Sequence, residues 1–285
     1  MQSSELLRLA GIVFGSVTFI VVGDTSGKLL TANGVDPFVV AWSRFGLAAL
    51  IMLPFSGLAV KELKGFLDWR VLVRSALIAG GISCILTALK TEPIPNVFGA
   101  FFVGPIVSYI LAILFLGETP SRSRSLLLAV GFIGVLMVVK PGFGASTGMF
   151  FALAAGTFYG SYLAMTRTVA GSYRPRFLLI SQLIIGSIIL TPFGLSSPMP
   201  VLNLNLSVLI ALSALGSAIG NYLIVVANRK AEASLIAPLV YSQLISATVA
   251  GVLVFGDWPD MYSLMGLGLI LISGFGSMVV KMRTF

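Results

Sequence analysis

"FLGETP" occupies Phe115–Pro120 and "VFGDWP" occupies Val254–Pro259. Each closes a long apolar run with glycine, an acid, one variable residue and proline, and the two lie 139 residues apart in a chain of 285. The same helix end is used twice, so the chain is read as a repeat. At a shift of 138, Asp36–Phe55 lies over Arg174–Phe193 and brings Pro37, Ser43, Pro54 and Phe55 onto Pro175, Ser181, Pro192 and Phe193. At a shift of 139, Gly81 meets Gly220 and Lys90 meets Arg229. Chance apolar similarity does not hold this many prolines in register, so residues 1–142 and 143–285 are expected to form equivalent halves of one membrane domain.

The composition is that of a membrane protein. Hydrophobic residues make up 57% of the chain and charged residues 10%, with a mean hydropathy of +1.03, against about 25% charged in soluble domains. A helix crosses the hydrocarbon core with about 20 apolar residues. That length predicts an all-α polytopic protein with ten transmembrane helices, at roughly 9–30, 37–55, 71–90, 94–116, 124–140, 147–168, 177–194, 206–227, 233–255 and 262–281. Of 18 Lys and Arg residues, 14 fall at the N-terminus and in alternate gaps, three (Lys28, Lys90, Lys140) lie on the opposite side, and Arg44 lies within a span. The bias places both termini in the cytoplasm, and the bacterial inner membrane is the expected location. Five spans per half is an odd number, so the halves have inverted topology, an architecture that recurs in secondary transporters.

The five-plus-five pattern resembles the drug/metabolite transporter superfamily in its EamA-type branch. The residues that carry the resemblance are Arg44 after Pro37, the Pro105-containing fourth span ending "LGETP", the glycine-rich "VGFIGVLMVVKPG", and the second ending "FGDWP". The resemblance covers nearly the whole chain. It implies transport of small metabolites, with bacterial amino acid exporters the most similar members. It also implies a central cavity lined by spans one, three, four, six, eight and nine. Gln182 in place of a second arginine and Asp257 in place of the usual glutamate depart from the pattern.

Ionisable groups inside a membrane point to function. Asp24 and Lys28 are four apart on one face of span one, and Arg44 enters span two to a similar depth, roughly 9–12 Å from the outer face at ~1.5 Å per residue. The three are expected to form an intramembrane ion network, read either as structural or as a site for a substrate carboxylate or coupling ion. Thr18, Ser83, Tyr159, Tyr162, Asn221, Tyr222, Tyr241 and Gln243 form a candidate substrate-binding set. They suit a zwitterion held by hydrogen bonds and aromatic faces, and interhelical hydrogen bonding is the competing reading. Pro105 and Pro238 each remove a helix hydrogen bond and are read as gating hinges or as static bends.

The expected partners are a small-molecule substrate, an amino acid or similar metabolite, and the lipid bilayer. The basic residues sit in gaps between apolar runs rather than on a polar face, so nucleic acid is not an expected partner. With no histidine and one cysteine, Cys84, the chain offers no His-based triad and no Cys-rich metal site, and no cofactor is expected. A lipid-modifying enzyme would need clustered acids, a nucleophile with its base, or metal ligands. A channel or non-transporting scaffold shares the topology and remains the alternative to a carrier.

Overall fold

The computed structural model describes residues 3–117, 120, 122–140, 146–230 and 239–282. Every regular element among them is helical: α1 (Ser3–Ala32), α2 (Pro37–Ser56), a 3-10 turn at Val60–Leu67, α3 (Trp69–Thr91), α4 (Ile94–Phe101), α5 (Val103–Leu116), α6 (Arg122–Val139), α7 (Thr147–Val169), α8 (Pro175–Ser196), α9 (Leu204–Lys230), α10 (Gln243–Ala250) with a π turn at Gly251–Phe255, and α11 (Met261–Met282). Among the described residues, seven apolar helical stretches are long enough to cross a membrane, counting α4 and α5 as one. Three shorter ones, Ser125–Val139, Gln243–Phe255 and Met261–Gly276, accompany them.

The repeated punctuation has a local cause. Pro37 and Pro175 open α2 and α8 at the first helical position, where the missing N–H has no partner to lose. Asp36 caps α2 by accepting from the Phe38 amide at 2.8 Å. At the other end, Gly117 and Gly256 take φ of +67° and +69°, the left-handed conformation that glycine adopts without steric penalty. Asp257 follows directly, whereas Glu118 lies outside the described residues.

The fourth predicted span is not one continuous helix. It breaks at Phe102, with φ −69° and ψ 5°, three residues before Pro105. Proline has no N–H for the Phe101 carbonyl, and α7 backs Gly156 onto that carbonyl, where a Cβ would overlap it. The bend is therefore built against a neighbouring helix. Pro238, the other expected hinge, lies outside the described residues.

Helix pairing follows the repeat. α1 packs on α9 and α3 on α7, while α2 packs on α8 and α6 on α11. Exchanging the halves turns the first pair into the second and leaves the last two unchanged. Contacts in the self-paired sets run in opposite order. Phe38 stacks on Phe193 at 5.4 Å, Trp42 donates to Thr191 Oγ1 at 3.1 Å, and Phe45 covers Gly186. Gly131 faces Ser273 and Gly134 faces Gly266. Helices in equivalent positions thus run antiparallel.

Small residues set the spacing, because apolar side chains gain little by leaving lipid and association relies on close packing. A Cβ on Gly216 of α9 would lie 2.8 Å from the Phe19 carbonyl of α1. The large apolar residues left facing outward include Leu50, Phe115 and Ile188, the surface a bilayer covers. Outside the spans, Arg174 grips both carboxylate oxygens of Glu62 at 2.5 Å and the Tyr173 hydroxyl donates to Asp68 at 2.9 Å. These contacts tie the α2–α3 linker to the α7–α8 turn. The Arg70 guanidinium foremost, then the Arg70 amide and Tyr173, hold Asp68 down to about 2.

Candidate functional site

Two buried polar triads occupy equivalent places in the two halves. In the first, Arg44 of α2 donates to Asp24 Oδ1 of α1 at 2.6 Å, to the Gly23 carbonyl at 2.8 Å and to Ser213 Oγ of α9 at 3.1 Å. Asp24 and Arg44 are each 3% exposed. Gly27 leaves room for the guanidinium, since a Cβ there would stand 3.1 Å from Arg44 Nη2 and closer still to Leu86.

In the second, the Tyr162 hydroxyl of α7 donates to Gln182 Oε1 of α8 at 3.0 Å and accepts from Arg74 Nη2 of α3 at 2.8 Å. Arg74 also donates to Thr166 Oγ1 at 2.8 Å and to the Leu178 carbonyl at 2.9 Å. Its guanidinium lies over the Tyr162 ring, 4.7 Å from the centroid. The repeat places Tyr162 over Asp24 and Gln182 over Arg44 at a shift of 138, and Ser213 over Arg74 at 139. Equivalent positions carry different charges, and the residue that bonds both others shifts from Arg44 in the first triad to Tyr162 in the second.

A cavity touches both triads. Arg44 and Gln182 line it together with Ser217, Asn221, Phe45 and Ile82, and its solvent-accessible volume is ≈ 10 Å³. That is about the room one water needs. A metabolite does not fit into that volume.

The structure distributes the candidate residues around this centre. Asn221, 6% exposed, lines the cavity and donates its amide to the Ser217 carbonyl at 2.8 Å. Tyr159 stacks on Tyr162 at 5.8 Å and meets Phe101 at a tilt of 40°, with centroids 5.0 Å apart. Tyr241 stacks on Phe102 at 4.7 Å, so two aromatic rings of the second half flank the α4–α5 break. Gln243 is buried and Tyr222 half-buried against the core. Thr18 meets Ser246 across α1 and α10 at 3.0 Å. Ser83 donates its hydroxyl to the Ala79 carbonyl of its own helix at 2.9 Å.

Lys28 does not join Asp24 and Arg44. Its ammonium pairs with Asp257 at 3.0 Å, donates to the Glu92 carbonyl at 2.8 Å and lies over the Phe255 ring at 4.8 Å. A four-residue spacing gives a shared helix face, but the long flexible lysine stem reaches past that face to the end of the π turn. The ion network is therefore two separate pairs. Sequence reasoning missed Arg74, counting it with Arg70 among the basic residues of the gap between spans two and three although it falls inside the predicted span 71–90. Its repeat partner Ser213 was the signal that could have found it.

The EamA-like transporter family matches this sequence twice, over residues 8–140 and 146–279. The chain belongs to the EamA-like transporter family. A riboflavin transporter of Rhizobium johnstonii is 27% identical over 96% of this chain and 90% of its own length. An S-adenosylmethionine uptake transporter of Rickettsia bellii is 26% identical over 94% of each chain. A solved crystal structure superposes with a TM-score of 0.67 over 99% of both chains at 14% identity, which shows a shared fold. This EamA-like chain is thus a membrane transporter of helical two-repeat build. The named relatives are uptake transporters for S-adenosylmethionine and transporters for riboflavin, so the amino acid class and the outward direction expected from the sequence find no support in them.

Proposed function

We propose that this chain is a secondary carrier that moves one small organic metabolite by alternating access between its two halves. Ten spans, cytoplasmic termini and a division near residues 142 and 143 belong to the same proposal. The observation that carries it is the pair of buried polar triads at repeat-equivalent positions, each giving one residue, Arg44 or Gln182, to the lining of a shared cavity. Two antiparallel copies of one bundle can exchange which end is open, and polar groups held at their junction meet the solute in both states. Thr18, Asn221, Tyr159, Tyr162, Tyr222, Tyr241 and Gln243 surround the route, and the stacked rings suit a flat heterocycle such as the relatives' names imply.

The test is counterflow in proteoliposomes with labelled riboflavin, S-adenosylmethionine and a panel of amino acids, with and without an imposed proton gradient. A carrier gives saturable counterflow of at least one solute, whereas a channel does not. Tyr159→Ala and Asn221→Ala should each reduce it while leaving inserted, folded protein. Unchanged kinetics in both variants would remove the proposed route.

A further inference from the structure

The two triads differ in charge, and the difference bears on the solute. In the first, Asp24 neutralises Arg44. In the second, Tyr162 stands where the acid would be, and Arg74 keeps its charge. Arg74 is 0% exposed. Among the described residues no carboxylate lies within 4.0 Å of it. Its partners are two hydroxyls and one carbonyl, all neutral.

A guanidinium stays protonated in proteins and carries five N–H donors. Among the described residues three are used, which leaves two donors and a whole charge over. A buried charge without an opposite charge is strongly unfavourable, and an ionisable group within a candidate membrane span is a functional candidate by default. The neighbourhood adds to the positive potential. Leu178 belongs to the first turn of α8, and Arg74 sits in the second turn of α3, so both nearby helix ends present the N-terminal end of the dipole, which favours anions.

The route from the cavity to Arg74 is short. Gln182 lines the cavity, Tyr162 bonds Gln182, and Arg74 bonds Tyr162. A side-chain rotation of Tyr162 would open the spare donors to a solute in the cavity. Packing of α3 against α7 and α8 keeps the guanidinium away from lipid headgroups.

Resting on the carrier reading above, we infer that Arg74 with Tyr162 and Gln182 is a receptor for an oxyanion on the transported solute, a carboxylate or phosphate. The substrate is then an anion or zwitterion, and its anionic group completes the charge balance that Asp24 provides in the other half.

Thermal stabilisation of the purified protein in detergent tests this with matched probes: S-adenosylmethionine against its decarboxylated form, and flavin mononucleotide against riboflavin. The oxyanion-bearing member of at least one pair should bind tenfold or more tighter. Arg74→Gln should abolish that preference. Because a buried arginine variant can fail to fold, Gln182→Glu is the second arm: it supplies an internal carboxylate beside Tyr162, and should fold well while losing the preference. Equal binding within both pairs, no stabilisation by either oxyanion-bearing probe, or a preference that survives Gln182→Glu would overturn the assignment. Counterflow separates this from the carrier reading. Binding of the oxyanion member without counterflow removes the carrier and keeps the receptor, while counterflow of riboflavin with no oxyanion preference does the reverse.

Discussion

Removing Asp24 should be one of the most damaging single-atom-scale changes this chain can suffer. Asp24→Asn exchanges one oxygen for nitrogen and keeps the shape. The carboxylate it removes lies 2.6 Å from Arg44 Nη1, with the two side chains 4% and 3% exposed. The arginine is then left buried and charged with only neutral acceptors, the amide oxygen, Ser213 and the Gly23 carbonyl. Breaking a buried pair from one side destabilises by about 3–5 kcal/mol, because the surviving charge stays desolvated. Arg44→Gln should incur a loss of the same size for the same reason. The double variant Asp24→Asn/Arg44→Gln removes both charges together and should lose far less than the summed singles. The expected coupling is about 2–3 kcal/mol, roughly 30- to 150-fold in the unfolding equilibrium. Reversible unfolding of purified protein by SDS titration in mixed micelles measures all four corners of the cycle. Strictly additive losses would show that the two side chains are not a charge pair, and the contrast drawn between the two triads would go with it.

Two further changes act elsewhere. Gly216→Ala places a methyl group 2.8 Å from the Phe19 carbonyl and should force α1 and α9 apart, lowering stability by about 1–3 kcal/mol; the same titration reads it, and a wild-type midpoint would refute the close-packing account. Asp68 is held at about 2, below its ordinary 3.8, so its stabilising contribution is complete above about pH 4 and is lost as pH falls through about 2. The Tm gap between wild type and Asp68→Asn should therefore be constant from about pH 7 to 5 and narrow below about pH 4; a gap independent of pH would refute the Arg70 and Tyr173 contacts as its source.

The repeat was legible in the chain because its markers are backbone devices. Proline at a helix start and glycine at a helix end act within a few residues, so Pro37, Pro175, Gly117 and Gly256 announce their conformations without reference to the rest of the molecule. Apolar runs likewise report lipid contact from composition alone. The pairing of Asp24 with Arg44 was also readable, since depth along two spans places them level.

The rest depended on which helix faces which. Lys28 shares a face with Asp24, yet a flexible side chain chooses its partner from everything within reach, and Asp257 is 229 residues away. Arg74 reads as one more basic residue of the gap between spans two and three until α7 and α8 close over it. Its partners Tyr162, Thr166 and Leu178 come from two later helices, and no local pattern records them. An all-helical chain with two copies of one unit was legible from the residues alone. Only the packing of those copies decided that equivalent positions would carry a neutral ion pair in one half and an unbalanced cation in the other, because burial and charge compensation are properties of neighbours in space and not of neighbours along the chain.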